Sequence, residues 1–199
     1  MLRTQLPCLG CHTLAGDGGV IGPDLTTVRE RRSSAYIGAM VNDPQRVVPG
    51  SAMPRTAMTP ALRDLIVSYL TSLPTGRPAP DAAPPTPNAV ASPADGAGLY
   101  QRWCASCHGA SGRGDGPNAS HLPVRPAVHA SRDAMSLRSD DALYDTIAGG
   151  GLIMNRSARM PAFGATLSDA QIRTLVAYIR SLCGCQGPAW SRDGATPKP

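Results

Sequence analysis

The chain has 199 residues with 21 Gly and 20 Pro, but only 4% are aromatic and Phe163 is the single Phe, which is poor material for one large core. Its formal charge of +5 rests on arginine, Lys198 being the lone lysine, and spreads evenly, near +2 over residues 1–73 and near +2 over 94–186. Without a basic run this excludes nucleic acid as a partner, and no stretch reaches the ~20 apolar residues of a transmembrane helix.

In chain order, the first informative segment is Cys8-Leu9-Gly10-Cys11-His12, and its pattern recurs as Cys104-Ala105-Ser106-Cys107-His108. Cys-x-x-Cys-His reads as a covalent attachment site for c-type haem. Two thiols about one helical turn apart can add across the two vinyl groups, and the adjacent histidine then comes under the iron as proximal ligand. A thioredoxin-like redox pair would need an α/β frame, and no strand pattern flanks either copy. A zinc site usually places its second ligand pair a dozen or more residues on. Two covalently bound haem c groups are therefore expected, on Cys8, Cys11, Cys104 and Cys107, with His12 and His108 as iron ligands. A buried haem also supplies the apolar surface that a small Gly/Pro-rich domain lacks.

Only seven residues precede Cys8, so the opening helix of the first half is expected to be truncated. No signal peptide is legible there, so a targeting segment is expected upstream or already removed. Past the motif comes a Gly/Pro loop with Ile21-Gly22-Pro23-Asp24-Leu25, then a short helix from Ser33 or Ser34 with Tyr36, Ile37 and Met40 inward. Met53-Pro54 follows. Thr59 then caps a helix with Pro60 in its first position, striped by Leu62, Leu65, Ile66, Tyr69, Leu70 and Leu73 and ended by Pro74. Residues 74–93 contain seven prolines and no apolar periodicity, and read as a polyproline-like spacer. It divides a domain over 1–73 from one over 94–186.

The second half opens with Leu99, Tyr100 and Trp103 on a helix leading into Cys104. A middle helix is expected from Ser139, with Leu143 and Ile147 inward, closing at Gly149-Gly150-Gly151. After Met160-Pro161, Ser168 and Gln171 form a capping box, and Leu167 staples onto Ile172. Ile172, Leu175, Val176, Ile179 and Leu182 continue at helical spacing. Thr59 and Ser168 stand 109 residues apart, as do Tyr69 and Tyr178, so the halves form a divergent repeat. Residues 187–199, with Gly187, Pro188, Gly194, Pro197 and Pro199, read as a flexible tail.

These segments resemble class I cytochrome c domains, and the whole chain resembles a two-haem cytochrome c. The second half carries the likeness in CHGASGRGDGP, MPAFG and LSDAQIRTLVAYIRSL, the first in CHTLAGDGGVIGPDL and DPQRVVPGSAMP, which belong to a different branch. The resemblance implies an all-α fold: two tandem helical bundles, each with opening and closing helices crossed. It favours Met-Pro as the source of the distal ligand, hence Met53 and Met160. Met58 aligns with Leu167 and is expected to pack; Met40 is a weaker candidate, and Met154 is expected at a loop or haem edge. His121 and His129, in a polar loop, would give a bis-His iron but are expected to face solvent. The class I pattern further implies a proline carbonyl accepting from each proximal histidine: Pro23 in the first half, Pro117 or Pro126 in the second, Pro126 being taken. Tyr69, Tyr178, Trp103 and the arginines have packing or propionate roles open to them. For Cys183 and Cys185 a buried thiol, a mutual disulfide and an intermolecular bridge all stay open.

The resulting expectation is an electron carrier without substrate chemistry, exchanging single electrons with a redox-protein donor and acceptor in the periplasm or another extracytoplasmic compartment. A cytochrome subunit of a larger membrane-bound oxidoreductase complex is the nearest alternative. A two-haem enzyme, such as a peroxidase or a thiosulfate-oxidising cytochrome, would need one iron without a methionine ligand.

Overall fold

The computed structural model describes residues 8–73, 93–154 and 156–191. The expected spacer lies outside them apart from Pro93, as do residues 1–7 and 192–199. Among the described residues the fold is helical, with one two-stranded ribbon that the sequence pattern does not announce.

In the first half, α1 (Cys8–Cys11) leads into β1 (Thr13–Leu14) and β2 (Asp17–Gly18), paired antiparallel with Thr13 opposite Gly18. Ala15 and Gly16, both at positive φ (52° and 86°), make the two-residue turn. Next come α2 (Val28–Arg31), α3 (Ser34–Asn42), α4 (Pro44–Val47) and α5 (Pro60–Ser72). Each of the last three has a side-chain cap, from Ser33, Asp43 and Thr59 respectively. Helix α5 turns Ile66 and Leu70 onto Leu14, Val28 and Ile37, with Met58 and Leu62 packed at the edge of this small core. Leu65 and Tyr69, expected inside, are largely exposed (56% and 44%).

In the second half, α6 (Pro93–Trp103) and α7 (Ala105–His108) are followed by a 3-10 turn (Ala119–His121), α8 (Arg132–Ser136), α9 (Asp140–Ile153) and α10 (Asp169–Cys183). The capping box of Ser168 and Gln171 forms at the start of α10, and Gly184 at φ 53° ends it in the left-handed conformation. Helices α6 and α10 cross closely at Gly96, where a Cβ would come within 3.0 Å of the Thr174 carbonyl and of Tyr178. Tyr100, Ile172 and Leu175 lie at this crossing with no solvent exposure. Cys183 and Cys185 are joined as a disulfide.

As expected, the helix from Ser139 is interrupted at the glycine run: Gly150 is non-helical at φ 77° and ψ 174°, and helical turns resume to Ile153. One expectation needs correction here. The expected tail is ordered at its start. A 3-10 turn (Ala189–Ser191) packs Trp190 against the first half and buries Ser191.

The halves meet along a seam. Tyr36, Val47 and Val48 of the first pack with Ala142 and Met154 of the second, joined by Met40 and Trp190. Beside this patch the buried Arg32 guanidinium forms an ion pair with Asp145, Nε to Oδ2 at 3.1 Å, and the Tyr36 hydroxyl donates to the same Oδ2 at 2.8 Å. Ser33 Oγ donates to Asp141 at 2.9 Å, Arg32 lies over the Tyr144 ring at 4.2 Å, and Arg173 donates to the Glu30 carbonyl at 3.1 Å. Burial alone would lower the Arg32 pKa, but Asp145 outweighs it and the net shift is upward.

Candidate haem sites

Each motif sits on a helical turn, which sets its two thiols three residues apart on one face. All four motif thiols are free, whereas the remaining two cysteines are paired with each other. Burial pushes the Cys8 thiol up. Burial, then the neighbouring Cys107, pushes Cys104 up to about 11.

The histidines are held by their inner nitrogen. His12 Nδ1 lies 2.8 Å from the Pro23 carbonyl oxygen. The loop reaches it because Gly22 lies flat on the ring; a Cβ there would stand 2.5 Å from His12 Cε1. His108 Nδ1 lies 2.9 Å from the carbonyl of Ala127, not from Pro117 or the expected Pro126. The acceptor is one residue later because the glycine-rich loop folds back on itself: Gly114 N–H donates to the His108 carbonyl at 2.7 Å, and a Cβ at Gly114 would meet the Pro126 carbonyl at 3.0 Å. The Pro126 carbonyl thus faces Gly114 while the next one faces the imidazole. In both halves Nε2 is left for a metal.

Met160 lies half-buried on the main core of the second half, which Cys104, Trp103 and Phe163 also flank. Its loop is pinned onto α9: Gly151 N–H donates to the Met160 carbonyl at 3.0 Å, Phe163 N–H to the Ile147 carbonyl at 3.0 Å, and Gly164 N–H to the Ala148 carbonyl at 2.9 Å. Such close approach needs the glycine run, since a Cβ on Gly151 would stand 3.1 Å from that of Met160. Met53 is half-buried in a loop held by its N–H to Ser51 Oγ (3.2 Å) and lies outside the first core, whereas Met58 packs on that core. Met154 is not a loop or haem-edge residue. It caps α9 and is buried in the seam.

His129 differs most from expectation. It is 8% exposed, its Nδ1 lies 2.9 Å from the Tyr100 hydroxyl, and its ring stacks on that of His108 with centroids 4.1 Å apart and planes 13° apart. Burial, then His108 and Arg138, push its pKa down to about 3, so the ring is neutral. Nothing in local spacing signals this contact, because it depends on the path of the loop over residues 109–130. His121 stays exposed.

Free paired thiols beside an oriented imidazole with an open Nε2 are the donor set a covalent haem requires, and they occur twice. Two family models match in tandem: one described as cytochrome c, over residues 4–74, and one described as cytochrome c oxidase, cbb3-type, subunit III, over residues 91–179. The cytochrome c6 of Synechococcus sp. (strain ATCC 27167 / PCC 6312) is 33% identical over 94 residues, 47% of this chain and 73% of the relative. The chain belongs to the cytochrome c family. It is an all-α cytochrome with two such domains in tandem, and its family implies covalently bound haem c and electron transfer. Among solved structures, a chain of the Kuenenia stuttgartiensis reducing HAO-like protein complex Kustc0457/Kustc0458 is 27% identical with a TM-score of 0.41, covering 75% of this chain and 72% of that one. No helix among the described residues is long and apolar enough to cross a membrane.

Proposed function

We propose that this cytochrome binds two haem c groups, one on Cys8 and Cys11 with His12 and Met53 as iron ligands, the other on Cys104 and Cys107 with His108 and Met160, and carries single electrons between redox proteins. The observation that carries this reading is the matched pair of held imidazoles: His12 on the Pro23 carbonyl and His108 on the Ala127 carbonyl, each beside two free thiols. When bound, haem c supplies a one-electron iron couple. The chain's residues do the rest. The carbonyls fix the ring orientation and strengthen Nε2 as a donor. Met53 and Met160 would supply a thioether to each iron beside the imidazole, which would favour the ferrous state. The modest arginine-based charge suits transient docking of partners.

An extracytoplasmic location, the periplasm in a Gram-negative cell, is supported by the family's covalent haem and by the Cys183–Cys185 pair, which suits an oxidising compartment. The match of the second domain to the subunit III model supports a second reading, in which the same relay works as a subunit of a membrane-bound oxidoreductase complex.

The denatured holoprotein should exceed its apo mass by two haem groups, and Cys104→Ala with Cys107→Ala should remove one of them. Steady-state assays with peroxide and with thiosulfate should show negligible turnover. Sustained turnover on the order of 1 per second or faster would replace the carrier with an enzyme.

A further inference from the structure

The two proximal imidazoles are held alike at Nδ1 but differ on their faces. Against His12 lies the bare backbone of Gly22, with exposed Val20 and Ile21 beside it. Against His108 lies the ring of His129, nearly parallel at 4.1 Å. That ring is itself fixed. Its Nδ1 pairs with the hydroxyl of Tyr100, which has no solvent exposure and packs on Tyr178 at 5.2 Å. From behind, the loop closes over it: Ala130 N–H donates to the Gly112 carbonyl at 3.0 Å, and a Cβ on Gly112 would stand 3.1 Å from that of His129. A buried, hydrogen-bonded ring braced from three sides has little freedom to turn, and neither has the ring stacked on it.

We propose that His129 is a positioning residue for the proximal ligand of the second haem, and that its stack on His108 makes this the higher-potential haem of the two. The inference rests on the reading that His108 ligates iron. Two physical effects support it. The stack, added to the Ala127 hydrogen bond, restrains rotation of His108 about its Cβ–Cγ bond, so the imidazole plane is set by two contacts rather than one. It also keeps water from that face of the ligand, and a drier surround disfavours ferric haem, which carries one more positive charge than ferrous haem. Among the described residues no ring stacks on His12.

The test uses the full-length two-haem protein with two variants that separate ring from hydrogen bond. His129→Asn can keep the bond to Tyr100 but removes the stack; His129→Phe keeps the stack but removes the bond. The readouts are the two midpoint potentials, assigned with the Cys8→Ala, Cys11→Ala chain, and the electron paramagnetic resonance g values of the ferric protein. In the wild type the second haem should be the higher-potential one. His129→Asn should shift its potential down and alter its g values while leaving the first haem unchanged. His129→Phe should keep both near wild type. The proposal is overturned if Asn changes neither readout with two haems and low-spin iron retained, if Phe shifts them as much as Asn, or if the wild-type order is reversed. Failure of the underlying reading looks different: His108→Ala would leave the second haem low-spin with its wild-type g values.

Discussion

Met53 and Met58 lie five residues apart in one loop, and their surroundings differ. Met58 packs on the core formed by Leu14, Ile37, Ile66 and Leu70, while Met53 lies outside it next to a proline. Met58→Ala should therefore keep a six-coordinate low-spin spectrum and cost about 1–3 kcal/mol, as deletion of a half-buried methionine does. Met53→Ala should open the iron of the first domain to exogenous ligands and lower its potential. Absorption spectra with and without added imidazole, beside denaturant titrations, check both; a high-spin signal from Met58→Ala alone would reverse the assignment. The Ala127 carbonyl shows the same dependence on surroundings. A proline about ten residues past the motif is a good guide where the loop is short, as at Pro23. The longer glycine-rich loop of the second domain brings round its neighbour instead.

Helix α9 and the Met160 loop act as one element. Gly150 has φ 77°, and a Cβ there would lie 2.8 Å from the Ala162 nitrogen. Alanine at this position combines a left-handed conformation, costing on the order of 1–3 kcal/mol, with a clash against backbone that cannot swing aside. Gly150→Ala should lower the thermal midpoint and displace Met160, removing about half of the weak iron–thioether absorption band of the ferric protein while two haems stay attached. A band of undiminished intensity would show that the loop does not depend on the glycine. Helix α10 is legible in the sequence because its signals are local: a capping box, a stapling leucine before it and apolar residues at 3.6 spacing. In α5 the same periodicity overstates the buried stripe, since Leu65 and Tyr69 face outward. That helix packs mainly on α2 and α3, with Leu14 of β1 beside them, and no opening helix crosses it among the described residues.

For the whole molecule, the seam decides whether the two domains act independently. The Arg32–Asp145 pair is buried, and the Tyr36 hydroxyl satisfies a further carboxylate lone pair. Removing one partner of such a pair leaves an uncompensated buried charge, a cost of about 3–5 kcal/mol. Because each domain has its own core, Asp145→Ala should open the seam rather than unfold the chain. The expected outcome is a larger radius of gyration by small-angle X-ray scattering, slower exchange of electrons between the haems, and unchanged haem content. A wild-type scattering curve would mean that the apolar patch around Met154 and Trp190 holds the domains together without the ion pair.

The sequence by itself determined what depends on near neighbours along the chain: two Cys-x-x-Cys-His turns, two capped closing helices, and an all-helical tandem repeat. Covalent attachment and helix capping act over three or four residues, so spacing alone reveals them. Only the tertiary structure decided which carbonyl meets His108, that His129 stacks on it, that residues 189–191 belong to the fold, and that Arg32 finds Asp145. Each of these pairs residues brought together by loop path and packing across distances of 19 to 158 positions in the chain, where no periodicity carries information.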